Sequence, residues 1–195
     1  MGQIEINHTG SGGTVVLSSD GTDLLLGGSA VGGGADLFKD NASSATTPVA
    51  SGANAVSIGS DSQATAQDSL ALGTSTRVLG QGSVAIVIGD ASYGVLSGAD
   101  YSIAIGKQAK IRANVDYSIA IGYSTDVNNT TSTAIGYNAS ALGTGSLGIG
   151  QNAYAGNSGT LALGYGAGAY NSYSSSIGQN SSQGGSYAGA DGAMA

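Results

Sequence analysis

The sequence predicts an all-β protein whose main body is a parallel β-solenoid, or β-roll, of about nine coils of 14–17 residues. Three observations predict it. A four-residue motif (aliphatic, small, Ile or Leu, Gly) recurs nine times at nearly constant spacing. Leu, Ile, Val and Phe together make only about 19% of the 195 residues, while 35 are Gly and one is Pro. Just 9% of the residues are charged, so the low apolar content lacks the high charge that accompanies disorder. So few large side chains would struggle to offset the conformational entropy of a lone globular domain. A repetitive stack, or a fold that exists only as an oligomer, remains.

The first copies are Val56-Ser57-Ile58-Gly59, Leu70-Ala71-Leu72-Gly73, Ile86-Val87-Ile88-Gly89, Ile103-Ala104-Ile105-Gly106 and Ile119-Ala120-Ile121-Gly122. The series continues with Thr133-Ala134-Ile135-Gly136, Leu147-Gly148-Ile149-Gly150, Leu161-Ala162-Leu163-Gly164 and Ser175-Ser176-Ile177-Gly178. Repetition at a fixed short period is the mark of a solenoid. Within the motif, alternation of large and small side chains has the period of a strand. Both aliphatics project to one face and the small residue to the other, where it lets another backbone lie close. The glycines permit a tight bend that a Cβ would hinder. Between motifs lies a more polar segment, often with Ala three residues after the Gly, as at Ala109, Ala139, Ala153 and Ala167. Fourteen residues suffice for two short strands and two turns, one flattened coil. Stacked at strand spacing, nine coils give a rod of about 43 Å. The longer intervals, around residues 90–102 and 107–118, read as insertions emerging as neighbouring loops on one flank.

Residues 1–27 do not follow the repeat. Gln3–Asn7 alternates, Thr14–Ser18 and Asp23–Leu26 read as further strands, and Gly-rich or SSDGT turns separate them. Three such strands form a β-meander too small to stand alone, so the segment is expected to trimerise, to dock on a larger particle, or both. Residues 28–47 read as a linker, 48–187 as the roll and 188–195 as a short tail.

Composition excludes several chemistries. No Cys is present, so disulfide frameworks and thiolate sites are out, and one His, His8, cannot supply a catalytic triad or a multi-His zinc site within a chain. Three copies of His8 around an axis could hold a metal, but a lone His beside a Gly-rich turn is more simply exposed. Five basic residues against twelve acidic ones argue against nucleic acid. No apolar run approaches a membrane span. No catalytic constellation and no cofactor site is evident; Gly143-Thr144-Gly145-Ser146-Leu147-Gly148 matches a dinucleotide fingerprint but lies inside the repeat with no helix behind it.

TAIGYNASALGTGS (133–146), YSIAIGKQAKIRANVD (101–116) and PVASGANAVSIG (48–59) resemble the head repeats of trimeric autotransporter adhesins, the YadA-like head. The resemblance spans about residues 48–187. It implies a left-handed roll and a homotrimer packed side by side through the motif strands, for which Ile103, Ala104, Ile105, Ile119, Ala120 and Ile121 are representative. The same repeats occur in bacteriophage fibres. The N-terminus MGQIEINHTG has no basic n-region or apolar h-region, and no heptad run follows residue 187. The expectation is therefore a phage virion fibre, on the tail or capsid surface, structural and adhesive and not an enzyme. Its partners would be another virion protein, through the N-terminal segment, and a host surface glycan or protein. The alternatives are the head of a bacterial surface adhesin and a decoration protein without a receptor; an ice-binding solenoid would need a Thr ladder that Thr130-Thr131 does not extend.

Candidate contact residues follow from side-chain chemistry. All ten Tyr lie between 93 and 187, and Tyr offers a flat apolar face with a polar tip. Tyr93, Tyr154, Tyr170 and Tyr173, with Tyr187, fall in outer turns. Tyr123, Tyr137 and Tyr165 each follow a motif Gly and are expected to align along one edge, as a packing ladder or a ligand surface. Lys107, Lys110 and Arg112 gather in one coil, able to meet an acidic glycan or to pair with Asp100 and Asp116 across coils.

Overall fold

The computed structural model describes residues 47–88, 92–96 and 98–178, the strands Ile4–Asn7, Thr14–Ser19, Leu24–Leu26, Ser29–Val31 and Tyr187–Ala188, and Gly192 and Met194. His8, Gly89, and most of the segments read as linker and tail lie outside the described residues. The chain divides into two compact units, Met1–Asn41 and Ala42–Ala195. In the first, the four strands pair antiparallel in chain order. Ser29–Val31, the fourth, falls within the stretch read as linker.

The second unit is an all-β parallel solenoid of about nine turns, with no helix among its described residues. Nine motif strands, Val56–Ile58 through Ser175–Ile177, form one sheet. Ten short outer strands, Val49–Ala50 through Tyr187–Ala188, form the other. Each strand pairs only with the equivalent strand one coil away, so the coils stack in register. Alternation decides what lies inside. The small motif residue, at Ala71, Ala85, Ala104, Ala120, Ala134 and Ala162, is fully buried between the sheets. Opposite stand the second residues of the outer strands, Ala64, Val78, Val95, Ile111, Val127, Ala141, Ala155 and Ala169, equally buried. The Ala three residues after the motif Gly (Ala109, Ala139, Ala153, Ala167) closes one corner of the interior.

The other corner is polar. The residue before every motif after the first, which follows Ala55, is a buried Ser or Thr, and from Ser83 to Ser132 its hydroxyl ties coils together. The N–H groups of Ser102, Ser118, Ser132 and Ser146 donate to the Oγ of Ser83, Ser102, Ser118 and Ser132 at 2.9–3.2 Å. Each of these hydroxyls in turn donates to a carbonyl, as Ser132 does to Gly143 at 2.6 Å. The hydroxyls of Ser83, Ser102, Ser118 and Ser132 are thereby satisfied without widening the roll, whereas those of Ser146 and Thr125 are buried without a hydrogen-bond partner.

The motif glycines take φ values that disfavour any side chain, +132° at Gly122 for example. A Cβ on Gly122 would lie 2.0 Å from the carbonyl oxygen of Gly136 in the next coil.

One assignment of the repeat needs correction. Val84, Ala85 and Ile86 pair with Leu70, Ala71 and Leu72 on one side and with Ile103, Ala104 and Ile105 on the other. The third copy is therefore Val84-Ala85-Ile86-Val87, and Val87, in register with Gly106, replaces Gly89 at the glycine position. Both strings alternate, but only this register puts Ala85 into the Ala column. The strands here lengthen to Val84–Ile88 and Ile103–Lys107. The segments 90–102 and 107–118 are likewise not simple loops, since each contains an outer strand, Gly94–Val95 and Lys110–Ile111. The extra residues sit in the turns: eight residues separate Val95 from Ile103 and Ile111 from Ile119, against six from Ala64 to Leu70. Ala99 and Val115, in those longer turns, are themselves buried.

Candidate functional site

With only Ala, Val and Ile111 inside, the large motif aliphatics must point outward. They form two columns across the motif sheet. One runs Val56, Leu70, Val84, Ile103, Ile119, Thr133, Leu147 and Leu161; the other runs Ile58, Leu72, Ile86, Ile105, Ile121, Ile135, Ile149, Leu163 and Ile177. In the single chain these residues are half-buried or exposed; Ile86 is 40% and Ile177 52% accessible. Where the strands lengthen, Leu72, Gly73, Ile86, Val87, Ile88, Gly106 and Lys107 line an apolar cleft of about 300 Å³. Of the residues expected to pack chains together, Ile103, Ile105, Ile119 and Ile121 belong to this outward face, whereas Ala104 and Ala120 line the interior.

Two edges carry aromatic columns. On the edge following the motif glycines, Tyr123 and Tyr137 stack with ring centroids 5.1 Å apart and planes 9° from parallel. The Lys107 ammonium sits over the Tyr123 ring at 5.9 Å, a cation–π geometry. Tyr165 lies further along the same edge and is exposed. The expected alignment is thus present, with Gln151 in place of a Tyr between Tyr137 and Tyr165.

On the opposite edge, Tyr101 and Tyr117 stack at 5.4 Å with planes 8° apart. Both, like Tyr173, adopt a left-handed backbone, φ +55°, +54° and +59°. Bulky residues rarely do so, and composition gave no sign that these positions would. Glycine elsewhere in the column makes room: a Cβ on Gly82 would meet Tyr101 Cδ1 at 2.8 Å, and one on Gly159 would meet Tyr173 Cδ1 at 2.7 Å. Asn54 and Gln67 amides donate to the Asp68 carboxylate here, both at 2.9 Å, and hold its pKa below the ordinary value.

The outer sheet carries the remaining candidates. Tyr154 and Tyr170 stack at 5.1 Å, each ring lying over a glycine, Gly156 and Gly168 respectively. The Asn157 amide donates to the Tyr170 carbonyl. Tyr93 differs, being half-buried and packed against the core. The basic trio is divided. Lys107 belongs to the glycine edge, while Lys110 and Arg112 lie on and just after the outer strand. Arg112 pairs with Asp126, Nε to Oδ1 at 3.0 Å and Nη2 to Oδ2 at 2.5 Å, and this pairing raises the guanidinium pKa. The expected partners do other work: Asp100 accepts the Gln81 N–H and Asp116 the Asp100 N–H. Asp126 is one coil, fourteen residues, from Arg112, so the period itself held the signal. Among the described residues no group of three or more His, Cys, Asp or Glu could hold a metal.

Comparison with known families agrees with this geometry. The model of the YadA head domain repeat matches residues 50–76, 64–86, 98–125, 128–153 and 141–167, together just over half of the chain. No curated protein matches it.

Proposed function

Because this chain belongs to the YadA head family, whose head domains are in general homotrimeric, surface-exposed and adhesive, we propose that it acts as a trimeric adhesive rod. One observation carries the reading: the motif sheet presents two long aliphatic columns to solvent in a single chain. Covering the part of each Ile or Leu still accessible, between about a tenth and a half of the side chain, is worth up to about 1 kcal/mol, and repetition along the sheet multiplies this. Oligomerisation through that face is the economical way to cover it, and it leaves the outer sheet and its Tyr and Arg residues facing the surroundings. The role is structural and adhesive; catalysis is not part of it.

The finer placement is that of a bacteriophage fibre, with the N-terminal strands as its attachment and trimerisation module and the roll meeting the host. The separation of those strands as their own compact unit favours this arrangement. The head of a bacterial surface adhesin is the second reading, and it rests on the same repeats. In both, Tyr154, Tyr170, Tyr173, Lys110 and Arg112 are contact residues and Tyr93 contributes only its exposed part. The test is binding of the fluorescently labelled chain to bacterial and to animal cells. Saturable binding to one bacterial host supports the fibre, and binding to animal cells supports the bacterial adhesin. Binding to neither removes adhesion and leaves a decoration protein.

A further inference from the structure

The turns after the motif strands follow one another coil by coil without interruption. The N–H groups of Asn138, Asn152 and Gly166 donate to the carbonyls of Tyr123, Tyr137 and Gln151 at 2.7, 2.8 and 2.8 Å. These bonds fix Tyr123, Tyr137, Gln151 and Tyr165 at one position in four successive coils. Tyr123 covers one face of Tyr137; the other face looks toward the coil of Gln151. Tyr165, two coils on, is 48% exposed. Two strand spacings separate Tyr137 from Tyr165, about 10 Å. The aromatic ladder therefore has one missing rung, and the gap is one ring thick: a ring in its middle would lie about 5 Å from each tyrosine, within the range of stacked contacts.

We infer that this gap is a binding slot for one ring of a neutral saccharide, walled by Tyr137 and Tyr165 and floored by Gln151. The inference rests on the adhesive reading above and gives that surface a ligand class. The chemistry of the slot selects the class. Its walls are phenols and its floor is an exposed amide, with the Asn138 and Asn152 amides, hydrogen-bonded to each other at 3.2 Å, beside it. A Phe ring from a protein would cover the Gln151 amide without offering a hydrogen bond in return, which costs binding energy, and a Tyr or Trp ring offers only one polar group at its edge. A pyranose offers apolar C–H faces to the two rings and hydroxyls at its rim to the amides. None of these lining groups is charged, so an acidic sugar gains no ion pair there; Lys107 is engaged over Tyr123.

The intact chain can be titrated with maltotriose, cellotriose and chitotriose, following tyrosine fluorescence, since the chain has no Trp, and saturation-transfer NMR. At least one sugar is expected to bind. Tyr165→Ala weakens it about 3- to 10-fold, the worth of one stacked contact. Gln151→Tyr supplies the missing rung: it abolishes binding while melting no lower than the parent, which separates blockage from misfolding. Failure of all three sugars to bind, or unchanged binding by Gln151→Tyr, overturns the slot. Cell binding judges the adhesive reading separately. A Gln151→Tyr chain that adheres normally while the parent binds no sugar overturns the slot and leaves adhesion standing.

Discussion

Replacing Gly122 by Ala tests how closely the coils stack. The added Cβ would lie 2.0 Å from the Gly136 carbonyl oxygen and 2.7 Å from its carbon, where even a close C···O contact needs about 3.3 Å. The next coil must move by about 1 Å, which disturbs the Gly136 N–H to Ile121 carbonyl bond, now 2.8 Å. A strained backbone position costs about 1–3 kcal/mol, and weakening one or two coil-to-coil hydrogen bonds adds about 1 kcal/mol each. The sum is about 2–5 kcal/mol. Gly145→Ala is the control. Gly145 also has positive φ, +66°, but its Cβ would meet only Thr131 Oγ1, at 4.0 Å, and Asn54, Tyr117 and Thr131 carry side chains at similar φ in the same column. Its cost is about 1–2 kcal/mol. At about 2–4 °C per kcal/mol for a chain of this size, Gly122→Ala melts about 10 °C below the parent and Gly145→Ala about 5 °C below. Thermal unfolding by circular dichroism, at one fixed protein concentration, reads both. Equal melting temperatures for the two variants would refute the stacking of motif glycine on motif glycine.

Other substitutions probe other layers. Ala120→Leu puts three more carbons into an interior position with no accessible surface, between Ala104 and Ala134, and should cost about 1–3 kcal/mol in chemical denaturation. A parent-like midpoint would mean that the small motif residue does not face inward. Ser118→Ala removes the acceptor of the Ser132 N–H and should cost about 1–3 kcal/mol, with faster hydrogen exchange at Ser132; unchanged exchange there would contradict the serine column. Arg112→Ala breaks an ion pair whose side chains are 45% and 26% accessible, so its effect on stability should stay below about 1 kcal/mol, and a larger loss in the same denaturation assay would show that the pair belongs to a network.

Much of the fold was legible because the repeat has a single physical cause. A roll this narrow accepts only small residues inward, so Ala recurs at the motif centre, and the stacked turns favour glycine after it. The string around Val87 misled because two overlapping stretches alternate equally well, and only the pairing of Ala85 with Ala71 and Ala104 separates them. The column of Ser and Thr was present in plain letters before each motif after the first, but nothing in a lone Ser distinguishes a buried hydroxyl from a surface one. Tyr101, Tyr117 and Tyr173 were unreadable as edge residues because their left-handed backbone runs against propensity, and glycines a coil away make room for Tyr101 and Tyr173. Arg112 and Asp126 show the reverse case: counting one period along the chain finds the partner that proximity to Asp100 and Asp116 obscured.

On the proposed function, the outward aliphatic columns of the motif sheet are covered by other copies of the chain. Light scattering on a sizing column measures this directly. A mass of three 18.7 kDa chains is expected, retained on dilution and lost when Ile121 and Ile135, neighbours in one column, are both replaced by Asp. A folded monomer whose mass does not change with concentration would contradict it, because the Ile and Leu columns would then face water in the native protein.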